Sequence, residues 1–376
     1  MSYALQTLWH EKTRYAAGVG AVAFSAMLMV LQVGLLLGLF ETTSIPVDHS
    51  NAHIWIGSQD VKSIDLGTAI GTNVHMARLS EKQGLVGQPE LFLANYANVT
   101  RPDGGMERCY VLGSSMAHNS VGAADVLTPE LRNALTMPNS IVIDESELKR
   151  MELKGIGDTI KISGIEVTLV GTVKGIKSLA APWVYCSLTT SRTLLNVFVP
   201  PDYTTYLVAQ AESPAAAKRI VEELRAEYPD SAAYTADEFS FSCRWYWLTR
   251  TKAGIAIGYA ALLGLLVGAV ITAQTLYSAT MASAKEFATL LALGIPRRKI
   301  YGMVIQQSFW VGIFGIIVAY PVVLGLAYLA SLGGAKVVLR WEVLGGAAVI
   351  TLGTALFSGF IALRSVRKIE PMSLLR

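Results

Sequence analysis

"YAAGVGAVAFSAMLMVLQVGLLLGLF" (Tyr15–Phe40) runs for 26 residues without a charge. A helix needs about 20 apolar residues to cross the hydrocarbon of a bilayer, whereas the apolar core of a secretory signal takes about 7–15. The run exceeds a signal, and no clear small-x-small cleavage pattern precedes Glu41, so it reads as a retained membrane helix. Three further runs reach spanning length: Ala253–Ser278, Tyr301–Leu332 and Val343–Leu363. Between the first and second lies one long mixed segment, about Glu41–Leu248. The expected fold is an α-helical membrane protein with four transmembrane helices and a large extracytoplasmic α+β domain inserted between helices 1 and 2.

Composition agrees. Of 376 residues, 52% are hydrophobic and 16% charged, where a soluble domain carries about a quarter charged. The net charge of +3 gives no case for nucleic acid. Lys12 and Arg14 precede the first run, Lys285 and Arg297–Lys299 lie between the second and third, and Arg364, Arg367, Lys368 and Arg376 follow the fourth. The positive-inside rule puts these segments, and both termini, in the cytoplasm. Arg244, Arg250 and Lys252 disagree, but they end a long loop, which the rule weighs lightly. Trp245, Tyr246 and Trp247 beside them suit an interfacial aromatic belt. The expected division is 1–40 (N-terminal segment and helix 1), 41–248 (outer domain), 249–284 (helix 2), 285–300 (cytoplasmic loop), 301–363 (helices 3 and 4) and 364–376 (tail).

In the outer segment, "AHIWIG" (Ala52–Gly57) and "TTYLVAQA" (Thr204–Ala211) read as strands. "SPAAAKRIVEELRAEYP" (Ser213–Pro229) reads as a helix capped by Ser213, with Ala217, Ile220, Val221, Leu224 and Tyr228 as its apolar stripe. With "AAYTADEF" (Ala232–Phe239) as a second strand, Thr204–Phe239 makes a β-α-β unit. Asn139–Gly175 reads as a strand, a short helix and short glycine-separated strands: a small β-rich module inserted into the α/β one.

Catalytic signatures are missing from the sequence. The five histidines fall in no zinc-binding spacing, "GTVKGIKS" (Gly171–Ser178) lacks the Gly-Lys-Ser/Thr of a phosphate loop, and no GxSxG elbow occurs. Asp144, Glu145 and Glu147 read as a solvated acidic face. Cys109, Cys186 and Cys243 are too few and scattered for a disulfide framework, and an odd number leaves a free thiol or an intermolecular bond. The expectation is a non-catalytic chain with no cofactor and no metal. The span interiors hold only neutral polar groups such as Ser25, Gln32, Thr272 and Gln274, so a proton relay is not expected. They do hold GxxxG pairs at Gly34–Gly38, Gly254–Gly258 and Gly264–Gly268. Small residues let helices approach closely, although glycine is common in membrane helices anyway. Gly34 and Gly38, with Gln32 as an interhelical hydrogen-bonding group, are the expected helix-packing or dimer residues.

"KEFATLLALGIPRRKIYGMVIQQS" (Lys285–Ser308) is richer than a plain connector. Phe287, Leu290, Leu291 and Leu293 fall on one helical face, Glu286 favours the positive end of the dipole, and Gly294 is placed to end the helix in the left-handed conformation. Pro296 suits the start of the next helix, whose first residues are Arg297, Arg298 and Lys299. An apolar helical face beside cations at a membrane serves either lipid or a protein groove.

One span, a large outer domain and three more spans around this loop resemble the permeases of the FtsX/MacB type, the membrane subunits of type VII ABC transporters. Glu286, Ala292-Leu293-Gly294 and Arg297–Lys299 match the family's loop, and "RSVRKIEPMSLLR" (Arg364–Arg376) matches its ending at Pro371, Leu375 and Arg376. Glu11–Arg14, Gln32 and the Ala52–Ile56 strand more narrowly resemble the DevC-like exporters. The resemblance implies a homodimer in the bacterial inner membrane with a separate cytoplasmic ABC ATPase. That enzyme would be coupled through Glu286, Phe287, Leu290, Leu291, Gly294, Arg297 and Arg298. It further implies motion passed to the outer domain, and efflux of lipid or other hydrophobic cargo with a periplasmic adaptor and an outer-membrane channel. The alternatives within the family are an FtsX-like regulator of a cell-wall hydrolase and a lipoprotein-extraction permease.

Overall fold

The computed structural model describes residues 12–178, 180–282, 286, 289–291, 293–332 and 337–366. Its helices are α1 (Lys12–Thr43), α2 (Ile45–Asp48), α3 (Thr72–Ser80), α4 (Pro129–Ala134), α5 (Leu188–Leu194), α6 (Pro214–Glu227), α7 (Ala236–Arg250), α8 (Lys252–Ala282), α9 (Arg297–Leu332) and α10 (Trp341–Val366). Its strands are β1 (Ile54–Ser58), β2 (Ile70–Gly71), β3 (Leu85–Thr100), β4 (Met106–Ser114), β5 (Ser140–Asp144), β6 (Thr159–Ile162), β7 (Ile165–Val173), β8 (Trp183–Ser187), β9 (Tyr203–Thr204), β10 (Tyr206–Ala211) and β11 (Ser231–Thr235). Contacts divide the chain into a helical unit, up to Gly38 and from Lys252 onward, and an outer unit, Leu39–Thr251.

In the helical unit, α1, α8, α9 and α10 are long and apolar enough to cross a membrane. Segment α1 meets the others through small and β-branched side chains. Val22 packs on Val311 and Ala355, Ala23 and Ala26 on Ala319, and Val30 on Val323 and Ala347. The contacts are close: a Cβ on Gly315 would lie 2.5 Å from Val22, and one on Gly268 2.6 Å from Ser25 Oγ. In lipid, where apolar burial gives no driving force between helices, such van der Waals fit is what holds them. The Ser358 hydroxyl ties α10 to α8 by donating to the Ala273 carbonyl at 2.7 Å.

Besides a two-stranded sheet of β2 and β9, the outer unit holds a nine-stranded sheet, ordered β11-β1-β10-β3-β4-β8-β5-β7-β6, in which β6 also pairs with β3. Its first four strands form a split β-α-β arrangement. β10 and β11 both run antiparallel to β1, which lies between them, so the β10-α6-β11 crossover joins parallel strands around it. Ser213 caps α6 by accepting from the Ala216 N–H, and Ala217, Ile220, Val221 and Leu224 are buried. The 16 residues of β3 serve two neighbours: Leu85–Phe92 pairs with β10 and Leu93–Thr100 with β4. Because β6 returns to Val99 and Thr100, strands β3, β4, β8, β5, β7 and β6 close into a six-stranded barrel. Alternate residues point inward, among them Cys109, Val111, Ile141, Ile143, Val167, Leu169, Val184 and Cys186. Closure leaves no free edge on the barrel, which takes in β3, β4 and β8 besides the Asn139–Gly175 segment that the sequence shows as β-rich.

One element differs from expectation. The strand expected over Ala232–Phe239 ends at Thr235 and gives way to α7. Thr235 and Glu238 form a capping box: the Thr235 hydroxyl accepts from the Glu238 N–H at 3.3 Å, and the Glu238 carboxylate accepts from the Thr235 N–H at 3.2 Å. Two orphan donors of the first turn are thereby satisfied, which outweighs the strand pattern of Tyr234 and Phe239. Helix α7 then continues through Arg250, past the expected boundary at Leu248, and stops at Thr251, where the backbone is extended (φ −96°, ψ 144°). All three cysteines are free and buried.

Candidate functional site

In the loop between α8 and α9, Glu286 and residues 289–291 are helical. Gly294, at φ +86°, ends this turn in the left-handed region. Its N–H donates to the Leu291 carbonyl at 3.0 Å, and the Ile295 N–H donates to the Leu290 carbonyl at 3.1 Å. That pair is the Schellman arrangement, with a glycine at the position where a Cβ is penalised. Leu290, Leu291 and Ile295 pack on Ile300 and Val304, buried residues in the first turns of α9. The expected outward face of Leu290 and Leu291 is therefore turned against the chain's own next helix. The apolar side chain that stands out is Leu293, 74% exposed. Glu286, Arg297, Arg298 and Lys299 are exposed too. Phe287 lies outside the described residues.

The expected packing residues of α1 meet other parts of the same chain. Gln32 lies against α8, its Cγ 2.9 Å from the place of a Cβ on Gly264. The Gly34 carbonyl accepts from the Val338 N–H at 3.0 Å, and a Cβ there would come within 2.8 Å of Val337. The segment before α10 thus occupies the space over Gly34. Gly38 is buried one turn on.

A polar knot in the outer unit escaped the sequence reading. It surrounds the 3-10 turn Ile64–Leu66. The Ile64 carbonyl accepts from the hydroxyls of Tyr110 at 2.6 Å and Tyr206 at 2.8 Å, while its N–H donates to Cys243 Sγ at 3.3 Å. Asp65 accepts from Ser63, from the Trp247 indole at 3.2 Å and from Tyr96 at 3.4 Å. Burial first, then the Asp65 charge, pushes the Tyr96 hydroxyl up to about 12. Nearby, Arg244 donates to Ser44 at 3.0 Å and Asp48 at 2.7 Å. Trp247, expected in an interfacial aromatic belt, and Arg244 are thus bound to carboxylates of the outer unit. Strands, turn and α7 are tied at one point by groups that stay protonated or paired, an arrangement suited to holding α7 in place. Among the described residues, no cluster of three or more His, Cys, Asp or Glu is arranged to hold a metal.

Two family models match the chain. The MacB-like periplasmic core domain matches residues 18–227, more than half of it, and the FtsX-like permease C-terminal domain matches residues 258–371. An uncharacterized ABC transporter permease of Methanocaldococcus jannaschii is 28% identical over 127 residues, an alignment spanning 32% of each chain and so about a third of that relative's length. Among solved structures, the periplasmic region of MacB from Actinobacillus actinomycetemcomitans aligns at 11% identity over 52% of this chain and 94% of that one, with a TM-score of 0.36. The extracellular domain of the noncanonic ABC-type transporter YknZ from Gram-positive bacteria aligns at 11% identity over 48% of this chain and 99% of that one, with a TM-score of 0.34.

Proposed function

Since the chain belongs to the family of ABC transporter permeases with a MacB-like periplasmic core and an FtsX-like C-terminal domain, we propose that it is the motion-transmitting subunit of an exporter. A separate cytoplasmic ATPase hydrolyses ATP and engages the loop before α9. Helices α1 and α8, each continuous in sequence with the outer unit, carry the displacement outward. The outer unit then drives lipid or other hydrophobic cargo toward a periplasmic adaptor and an outer-membrane channel, as in DevC-like exporters. The protein sits in the inner membrane with both termini and the basic loop in the cytoplasm.

The observation that carries this reading is the loop itself. Its short helix is stopped by Gly294 and braced on Ile300 and Val304, and it presents Leu293 beside Arg297, Arg298 and Lys299. A braced knob can transmit force, whereas a loosely tethered connector cannot. Leu293→Asp in the full chain should release the ATPase in a pull-down, or leave it bound with ATP hydrolysis no longer stimulated, while membrane insertion is unchanged. Leu290→Asp with Leu291→Asp should instead loosen the loop's own packing. A Leu293→Asp chain that keeps its ATPase and normal export would return the loop to a lipid-bound role.

The same proposal includes a homodimer. With Gly34 occupied by its own chain, the contact between copies is assigned to α8, where Ile255, Tyr259, Leu262, Leu266 and Val270 form an exposed apolar stripe at spacings of three and four.

A further inference from the structure

Within the helical unit, an apolar groove of about 290 Å³ opens between α1, α8 and α10. Met29 and Val33 line it from α1, Leu265 from α8, and Gly346 and Ile350 from α10. At its rim stands one carboxylate, Glu342, in the first turn of α10. Its depth follows from helix rise. At 1.5 Å per residue, Glu342 lies about 33 Å from Arg364 along α10, and Val33 lies about 32 Å from Lys12 along α1. The hydrocarbon core is about 30 Å thick. Glu342 therefore sits at the boundary opposite the basic ends of the helices, and the groove runs down from it into the apolar layer. Gly346 leaves room there: a Cβ at this position would meet nothing within 4 Å.

We propose that this groove binds one hydrocarbon chain of a membrane amphiphile whose ammonium headgroup pairs with Glu342. The chain is matched by apolar walls. The headgroup is selected by charge, because a carboxylate bordering hydrocarbon is costly unless a cation meets it. An anionic headgroup is repelled at the same point. The inference deepens the export reading, on which it rests for the occupant's role as cargo.

The test uses the full chain in dodecyl maltoside micelles. A photoreactive octadecylamine and a photoreactive stearic acid of equal chain length are cross-linked at pH 7, and adducts on residues 341–351 are counted by mass spectrometry. The amine should label saturably and at least tenfold more than the acid. Gly346→Leu, which fills the groove from an open position, should cut amine labelling more than tenfold without changing the gel-filtration profile. Glu342→Gln should make amine and acid equal. Equal labelling by both probes, unmoved by Gly346→Leu, would mean bulk lipid contact and overturn the proposal. Disulfide linkage of two copies through Gly346→Cys would overturn it in favour of a second copy. Adding the ATPase and ATP separates the two readings. Binding without ATP-driven release sinks the export reading and leaves the groove. Export untouched by Gly346→Leu sinks the groove as the cargo site.

Discussion

The Trp247 indole N–H donates to Asp65 Oδ1 at 3.2 Å, linking α7, which ends one residue before α8, to the 3-10 turn Ile64–Leu66. Asp65 also accepts from Ser63 and Tyr96, so one carboxylate satisfies three donors. Removing an acceptor that serves partly buried donors costs about 1–3 kcal/mol. Asp65→Ala should lower the outer unit's unfolding midpoint by several degrees, at about 2–4 °C per kcal/mol for a unit of this size. Asp65→Asn should cost less. In a double-mutant cycle, Asp65→Asn and Trp247→Phe should be non-additive by 0.5 kcal/mol or more on the usual scale of contacting pairs, about 0.5–3 kcal/mol. Additive effects would mean that the indole contributes nothing through Asp65.

Glu147, read from the sequence as part of a solvated acidic face, is buried, as is Asp144, and its Oε1 is unpartnered among the described residues. Burial raises its carboxyl above the ordinary value, Asp144 and Glu107 add to the rise, and Arg150 and Lys177 oppose it. With the folded value raised, the native state holds the proton more tightly than the unfolded one. The contribution to stability is complete below the unfolded carboxylate range and is lost as pH rises through the folded value. Glu147→Gln, which cannot ionise, should unfold at a higher temperature than the parent at pH 8, with the gap closing toward pH 4. A constant gap across that range would show that packing, not ionisation, sets the difference.

Cys109, Cys186 and Cys243 are all fully enclosed. Burial pushes the thiols of Cys109 and Cys243 up to about 12. At pH 8 only about one molecule in ten thousand carries the thiolate, the reactive species, at either site. A maleimide should leave the folded chain unmodified over an hour and modify all three sites in denaturant. Rapid labelling of the folded chain at any of them would contradict the barrel and α7 packing.

Much of the fold is legible in the sequence because the signals are local. The four spans follow from uncharged runs of membrane length. The α6 helix follows from Ser213, Pro214 and a stripe of apolar residues three and four apart. The turn at Gly294 follows from a glycine placed just before a proline. The pairing of Val99 with Ile162, which closes the barrel, joins residues more than sixty positions apart and leaves no periodic trace. What covers Leu290 and Leu291 is not legible for a related reason. Periodicity identifies an apolar face but not what covers it, and here Ile300 and Val304 of the same chain do so. The capping box at Thr235 is legible in "TADE", where a strand-like pattern around it competes. The groove by Glu342 requires three helices to come together, which no single stretch encodes.

Membrane sidedness is testable by fusion. A reporter enzyme that works only outside the cytoplasm should be active when fused after Gly175, in the turn beyond β7, and silent after Arg298. Reversed activities would invert the orientation drawn from the basic segments.

The contact between copies should lie along α8. Tyr259 is 64% exposed and Leu266 is 50% exposed, and both belong to the stripe that begins at Ile255. Apolar side chains at spacings of three and four on one helix fit a seam against a second such helix. The buried native cysteines do not compete, so single cysteines can be introduced into the natural chain. Tyr259→Cys and Leu266→Cys should each give a disulfide-linked dimer on a non-reducing gel after mild oxidation. Gly34→Cys should not, because Val337 and Val338 of its own chain already fill that space. Linkage through Gly34→Cys with none through α8 would move the dimer contact back to the glycine pair of α1.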